Sequence, residues 1–123
     1  MILIDTSALV DSLCGERRSS GQLHSLIATG QQVRISAPVL FEWLRGPRLR
    51  DELVYQEEFF PSEQTLAFGP SEAKVAAGLY RNVKRARGRE IDLAIAATAI
   101  VWGAALWTLN RGDFEDIPNL NLV

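Results

Sequence analysis

Asp5, Glu42, Asp92 and Asp113 are the side chains in this 123-residue sequence whose type and placement point to chemistry. Asp5 directly follows the apolar run Ile2-Leu3-Ile4, and Glu42 lies on the first turns of a helix opened by Pro38. Asp92 stands between Ile91 and Leu93 at the head of a very apolar helix, and Asp113 falls in the turn after a run ending at Leu109. Each alone has an ordinary explanation as a turn residue, a solvated helix acid or, for Asp92, a carboxylate favoured by a helix N-terminus. Gathered on one edge of a sheet they would raise one another's pKa, and such a cluster persists when a cation neutralises it. The donors are all oxygens, and the chain has no cysteine cluster and no histidine pair. That set suits Mg2+ or Mn2+ better than zinc. One or two such ions activate water and stabilise the leaving oxygen of a phosphodiester.

A nucleic-acid substrate would need cations, and the formal net charge is −2. The charge is unevenly placed. Arg81, Lys84, Arg85, Arg87 and Arg89 follow one another with no acid between them, and Arg45, Arg48 and Arg50 form a second group. These two patches are candidates for holding the phosphates that flank a scissile bond. The first also has a plainer reading, as cations favoured at the end of a helix.

The elements that must position these residues alternate between strand and helix patterns. Ile2-Leu3-Ile4 reads as a buried strand, with Thr6 as N-cap of a helix that stops at Gly15. Gln22–Thr29 is a second helix closed by Gly30, and Val33–Ala37 a second strand. Helices are expected from Pro38 to Gly46, over Arg48–Phe60 and over Ser71–Arg87, with a short strand possible at Thr65–Phe68. Ile91–Trp102 is an apolar helix, Ala105–Leu109 a strand, and Leu120–Val123 a last short one. Apolar strands alternating with helices predict an α/β fold, a mainly parallel sheet covered on both faces. Ligands in such sheets bind beyond the carboxyl ends of the strands, where Asp5 and Asp113 are expected.

Four segments together carry a family resemblance. Leu3-Ile4-Asp5-Thr6-Ser7-Ala8-Leu9 resembles the first motif of PIN domains, and Ala37-Pro38-Val39-Leu40-Phe41-Glu42-Trp43-Leu44-Arg45-Gly46 the second. Asp92-Leu93-Ala94-Ile95-Ala96-Ala97-Thr98-Ala99 is similar to the third, and Thr108-Leu109-Asn110-Arg111-Gly112-Asp113-Phe114 to the last. A lone Asp-Thr-Ser is weak, but the four occur in order across the whole chain. The resemblance, nearest to the toxin of a VapBC-like toxin–antitoxin pair, implies a three-layer α/β/α sandwich and a divalent-metal endoribonuclease. Asp5, Glu42, Asp92 and Asp113 would be its catalytic and metal-site acids. It also implies an RNA substrate, a VapB-like antitoxin as partner and a homodimer. Ser7 and Asn110 occupy slots near such a site, while Glu90, Glu115 and Asp116 are extra acids whose plainer reading is solvated surface.

Rival readings fare worse. A haloacid-dehalogenase-type phosphatase also begins with a strand ending in Asp, but needs a second Asp two residues on, where this chain has Ser7. A flap-endonuclease-type enzyme would carry DNA-gripping insertions that this length leaves no room for. A PIN fold kept as a non-catalytic RNA- or protein-binding module is the serious alternative, and retention of all four acids argues against it. The length fits a single domain over residues 1–123. Cys14 is the one cysteine and reads as an inert thiol in a reducing, cytoplasmic setting. The start lacks the basic and long apolar regions of a signal peptide. The uncharged stretch Leu93–Leu109 falls short of the roughly 20 residues of a membrane span.

Overall fold

The computed structural model describes Met1–Val123. Four short strands, β1 (Ile2–Ile4), β2 (Val33–Arg34), β3 (Ala105–Trp107) and β4 (Asn121–Leu122), form one sheet in the order β2-β1-β3-β4. All three pairings are parallel, with Ile2 opposite Val33 on one side and Ala105 on the other. Ile2, Leu3 and Ile4 are all buried, although successive side chains of a strand point to opposite faces. Both faces of the sheet are therefore covered, which gives the three-layer α/β/α architecture expected from the sequence.

The helices are α1 (Thr6–Leu13), α2 (Ser20–Ala28), α3 (Ala37–Arg45), α4 (Arg50–Phe59), α5 (Pro70–Asn82) and α6 (Glu90–Trp102). The chain leaves β1 through α1 and α2 to β2 on one side, then crosses back through α3 to α6 to β3 on the other. The order thus reverses between β1 and β3, where a crevice opens beyond the strand ends. In α3, Ser36 caps the first turn through Val39 N–H and Pro38 occupies a position where its missing N–H costs nothing. α6 is apolar on every side, with Leu93, Ile95, Ala96, Ala97, Thr98 and Ala99 buried, and ends in a left-handed turn at Gly103.

Several boundaries depart from expectation. The second strand extends only to Arg34; beyond it Ile35 and Ala37 exchange backbone bonds with Leu66 on the side of the strand away from β1. The possible strand at Thr65–Phe68 is accordingly a single bridge. The long helix ends at Asn82 rather than Arg87, and Arg85 adopts a left-handed conformation in the α5–α6 connection. There the Lys84 carbonyl accepts from the Arg89 guanidinium at 3.0 Å, in place of a helical N–H.

Candidate active site

Asp5 sits at the carboxyl end of β1, beside the switch in strand order, and is only 4% exposed. Its backbone N–H bonds to Trp107 and its carbonyl starts α1 by accepting from Leu9. The side chain does not cap the helix. One oxygen, Oδ2, instead accepts from the hydroxyls of Thr108 at 2.7 Å and Ser7 at 2.9 Å. That leaves Oδ1 free of hydrogen bonds. Leu109 N–H donates to Ser7 Oγ and Asn110 N–H to Thr108 Oγ1, so the backbone after β3 is spent on the site rather than on the sheet. This is why the third strand ends at Trp107 and not at Leu109.

Thr6 is not the N-cap. It is the first residue of α1, and its hydroxyl donates to Glu42 Oε1 at 2.6 Å, tying α1 to α3. Glu42 Oε2 accepts from Arg45 at 3.2 Å, one turn further along α3. Asp92 lies in the first turn of α6 and is partly buried. Burial pushes its pKa up to about 6, reinforced by the charges of Asp5, Asp113 and Glu42, while Arg89 opposes the rise. The acids that the motifs single out are thus within electrostatic reach of one another. Asp113 is exposed, at the end of a 3-10 turn over Arg111–Asp113. A polar cleft lined by Glu42, Arg45, Gly88, Glu90, Ile91 and Asp92 leads to this cluster. In this conformation no three of these acids are gathered tightly enough to enclose an ion. Mg2+ does not require it, since it keeps several waters and uses one or two carboxylates directly.

The family model of the PIN domain matches residues 2–120. The chain belongs to the PIN domain family. Among similar proteins, Ribonuclease VapC19 of Mycobacterium tuberculosis is 38% identical over 122 residues, 98% of this chain and 97% of that protein. Ribonuclease VapC of Rickettsia bellii is 37% identical over 102 residues, 75% of each chain. The fold is similar to DNA-bound VapBC from Salmonella typhimurium (TM-score 0.82, 20% identity, covering 99% and 96% of the two chains). It is also similar to VapBC2 from Rickettsia felis bound to a promoter DNA fragment (TM-score 0.77, 23% identity, covering 100% and 98%).

Around the acid cluster, the residues of the first cationic group fall into two kinds. Arg81, Lys84, Arg85 and Arg87 are exposed on the end of α5 and the connection to α6. Arg89 is turned inward, its guanidinium bonded to both carboxylate oxygens of Asp116. Asp116 is therefore committed away from the acid cluster. Glu90 accepts from Gly88 N–H and lines the cleft, and Glu115 is solvated surface. From the sequence, Thr6 reads only as a helix cap and Arg89 only as one of a cationic group, and Thr108 is not singled out. For Thr108, the available signal was a hydroxyl residue closing the strand that neighbours Asp5. Cys14 is half-buried, and burial, aided by Glu52, pushes its thiol up to about 11, which leaves it protonated and inert. No helix is long and apolar enough to cross a membrane.

Proposed function

We propose that this chain is a Mg2+- or Mn2+-dependent endoribonuclease, the toxin component of a VapBC-type pair. The observation that carries the reading is the convergence of charge on Asp92: its carboxyl is pushed up to about 6 by burial together with Asp5, Asp113 and Glu42. A fold spends stability on like charges in one crevice where a cation is to be held there. The donor set fits a hard divalent ion, being all carboxylate and hydroxyl oxygen. When bound, the ion would supply an activated water and neutralise charge on the phosphodiester.

The chain's own residues do the positioning. Ser7 and Thr108 fix Asp5 through Oδ2 and leave Oδ1 without a hydrogen bond. Thr6 and Arg45 hold Glu42 at the rim of the cleft, and Asp92 and Asp113 complete the acid set from α6 and the turn after β3. Arg81, Lys84, Arg85 and Arg87 would take the phosphates that flank the cut. The relatives named ribonucleases support RNA as substrate, and the VapBC complexes of similar fold support a VapB-like antitoxin as partner. The test is cleavage of bulk RNA by the purified protein. Cleavage should stop on adding chelator and return with Mg2+ or Mn2+. Activity that persists in chelator contradicts the metal site, and RNA binding without cleavage at saturating Mg2+ points to the non-catalytic module.

We also propose a homodimer. On α3 and at the end of α4, Trp43 and Phe60 are in the core at 0% and 3% exposure. Phe41, Leu44, Leu49, Leu53 and Val54 on α3, α4 and their connection are the exposed apolar side chains there. Light scattering should give twice the chain mass at micromolar concentration, and a monomer would contradict the assembly.

A further inference from the structure

Arg89 is the N-cap residue of α6, three positions before Asp92, and its guanidinium reaches two other segments. Nη1 donates to the Lys84 carbonyl at 3.0 Å and to Asp116 Oδ2 at 2.9 Å. Nη2 donates to Asp116 Oδ1 at 2.6 Å and to the Asp113 carbonyl at 2.9 Å. The Arg89 side chain is only 19% exposed, whereas Asp116 is 47% exposed. Both carboxylate oxygens are engaged, which is the planar fork-to-fork geometry available to arginine and not to lysine.

Apart from Arg111, whose guanidinium donates to the Val123 carbonyl at 2.6 Å, the turn that carries Asp113 is otherwise held by local bonds. Asp113 N–H donates to Asn110, Phe114 N–H to Arg111 and Ile117 N–H to Phe114. Buried Phe114 and Ile117 anchor the segment to the core, but neither sets the direction of the Asp113 carbonyl and carboxyl. The Arg89 guanidinium is what joins this turn by hydrogen bonds to the start of the helix bearing Asp92. A positive charge placed there to grip RNA would be left free to solvent, as Arg85 and Arg87 are. We propose that Arg89 is a positioning residue of the acid site, a clamp that fixes Asp113 relative to Asp92 through Asp116 and the Asp113 carbonyl. The proposal rests on the metal-nuclease reading and deepens it: the outer partner of a metal-site acid is assigned, and Arg89 is removed from the RNA-binding set.

The test uses Mn2+ alone as probe, titrated calorimetrically into the full chain, with Arg89→Gln, Arg89→Lys, Asp116→Asn and the Arg89→Gln/Asp116→Asn double variant. Loss of an outer-shell partner weakens metal binding by about ten- to a hundredfold, and each single variant should fall in that range. The double variant should be no worse than the singles, because both remove the same clamp. Melting temperatures in chelator should fall only slightly, since the Asp116 side of the pair is open to solvent. Amide exchange at Asp113–Asp116 should speed up in Arg89→Gln while that of the α6 interior does not change. RNA affinity in chelator should stay at the wild-type level. Wild-type Mn2+ affinity in Arg89→Gln, full rescue by Arg89→Lys, or a fall in RNA affinity with metal binding intact would each overturn the clamp. If Arg89→Gln does not fold, Asp116→Asn carries the test, because it removes the acceptor charge with Arg89 in place. A wild-type protein that binds no Mn2+ overturns the metal-site reading itself, and the clamp with it.

Discussion

Asp92 carries a charge opposed by its own burial and by three neighbouring acids, which ties stability to pH. Its pKa is about 6 in the folded chain against an ordinary 3.8, so the folded state binds the proton more tightly than the unfolded one. Without a metal, the stabilisation is full below about pH 4 and is lost as pH rises through about 6. A two-unit shift is unscreened at about 3 kcal/mol, and for a half-exposed carboxyl solvent reduces this to on the order of 1 kcal/mol. Asp92→Asn should therefore melt higher than wild type above pH 6 in chelator and match it near pH 4. Parallel melting curves across that range would show that the acids do not repel at Asp92. The placement of the four acids was legible in the sequence, Asp5 and Asp113 after strands, Asp92 at the head of a helix and Glu42 within the helix after the second strand. Their hydroxyl partners were not: Thr6 and Thr108 act across 36 and 103 positions of sequence, on Glu42 and Asp5, and no local pattern carries such pairs.

Among the elements, β1, α3 and α6 fell where periodicity and capping residues put them, because local preference and burial agree there. The misplaced ends share a cause. At β3 and α5, backbone groups that would have extended the element bond elsewhere: to the hydroxyls of Ser7 and Thr108, and to the Arg89 guanidinium. The shortening of α5 leaves Lys84, Arg85 and Arg87 on an exposed connection beside the acidic cleft instead of along a helix. Neutralising all three to Gln should weaken RNA binding and make its salt dependence shallower by about 2 in log–log slope, from about 0.7 per phosphate contact on single strands. Mn2+ binding should be untouched. An unchanged salt slope would mean that these cations face solvent and nothing else.

At the scale of the whole molecule, the strand order β2-β1-β3-β4 determines where chemistry can occur. Reversal between β1 and β3 opens the crevice at Asp5, and the crossover through α3 to α6 brings Glu42 and Asp92 to the same end. The parallel sheet was legible from alternating apolar strands and helices, whereas the strand order was not, because pairing is decided by distant partners. The central claim, that this crevice holds a cation for RNA cleavage, rests most heavily on Asp5. Asp5→Asn keeps the shape of the side chain and an oxygen for Ser7 and Thr108, but removes the buried charge. Relieving repulsion among the acids should leave the melting temperature in chelator level or raised. The decisive measurement is the RNA cleavage rate of folded Asp5→Asn beside wild type in saturating Mg2+. The structure predicts a fall of orders of magnitude, and a variant that cleaves at the wild-type rate would contradict the metal-nuclease account.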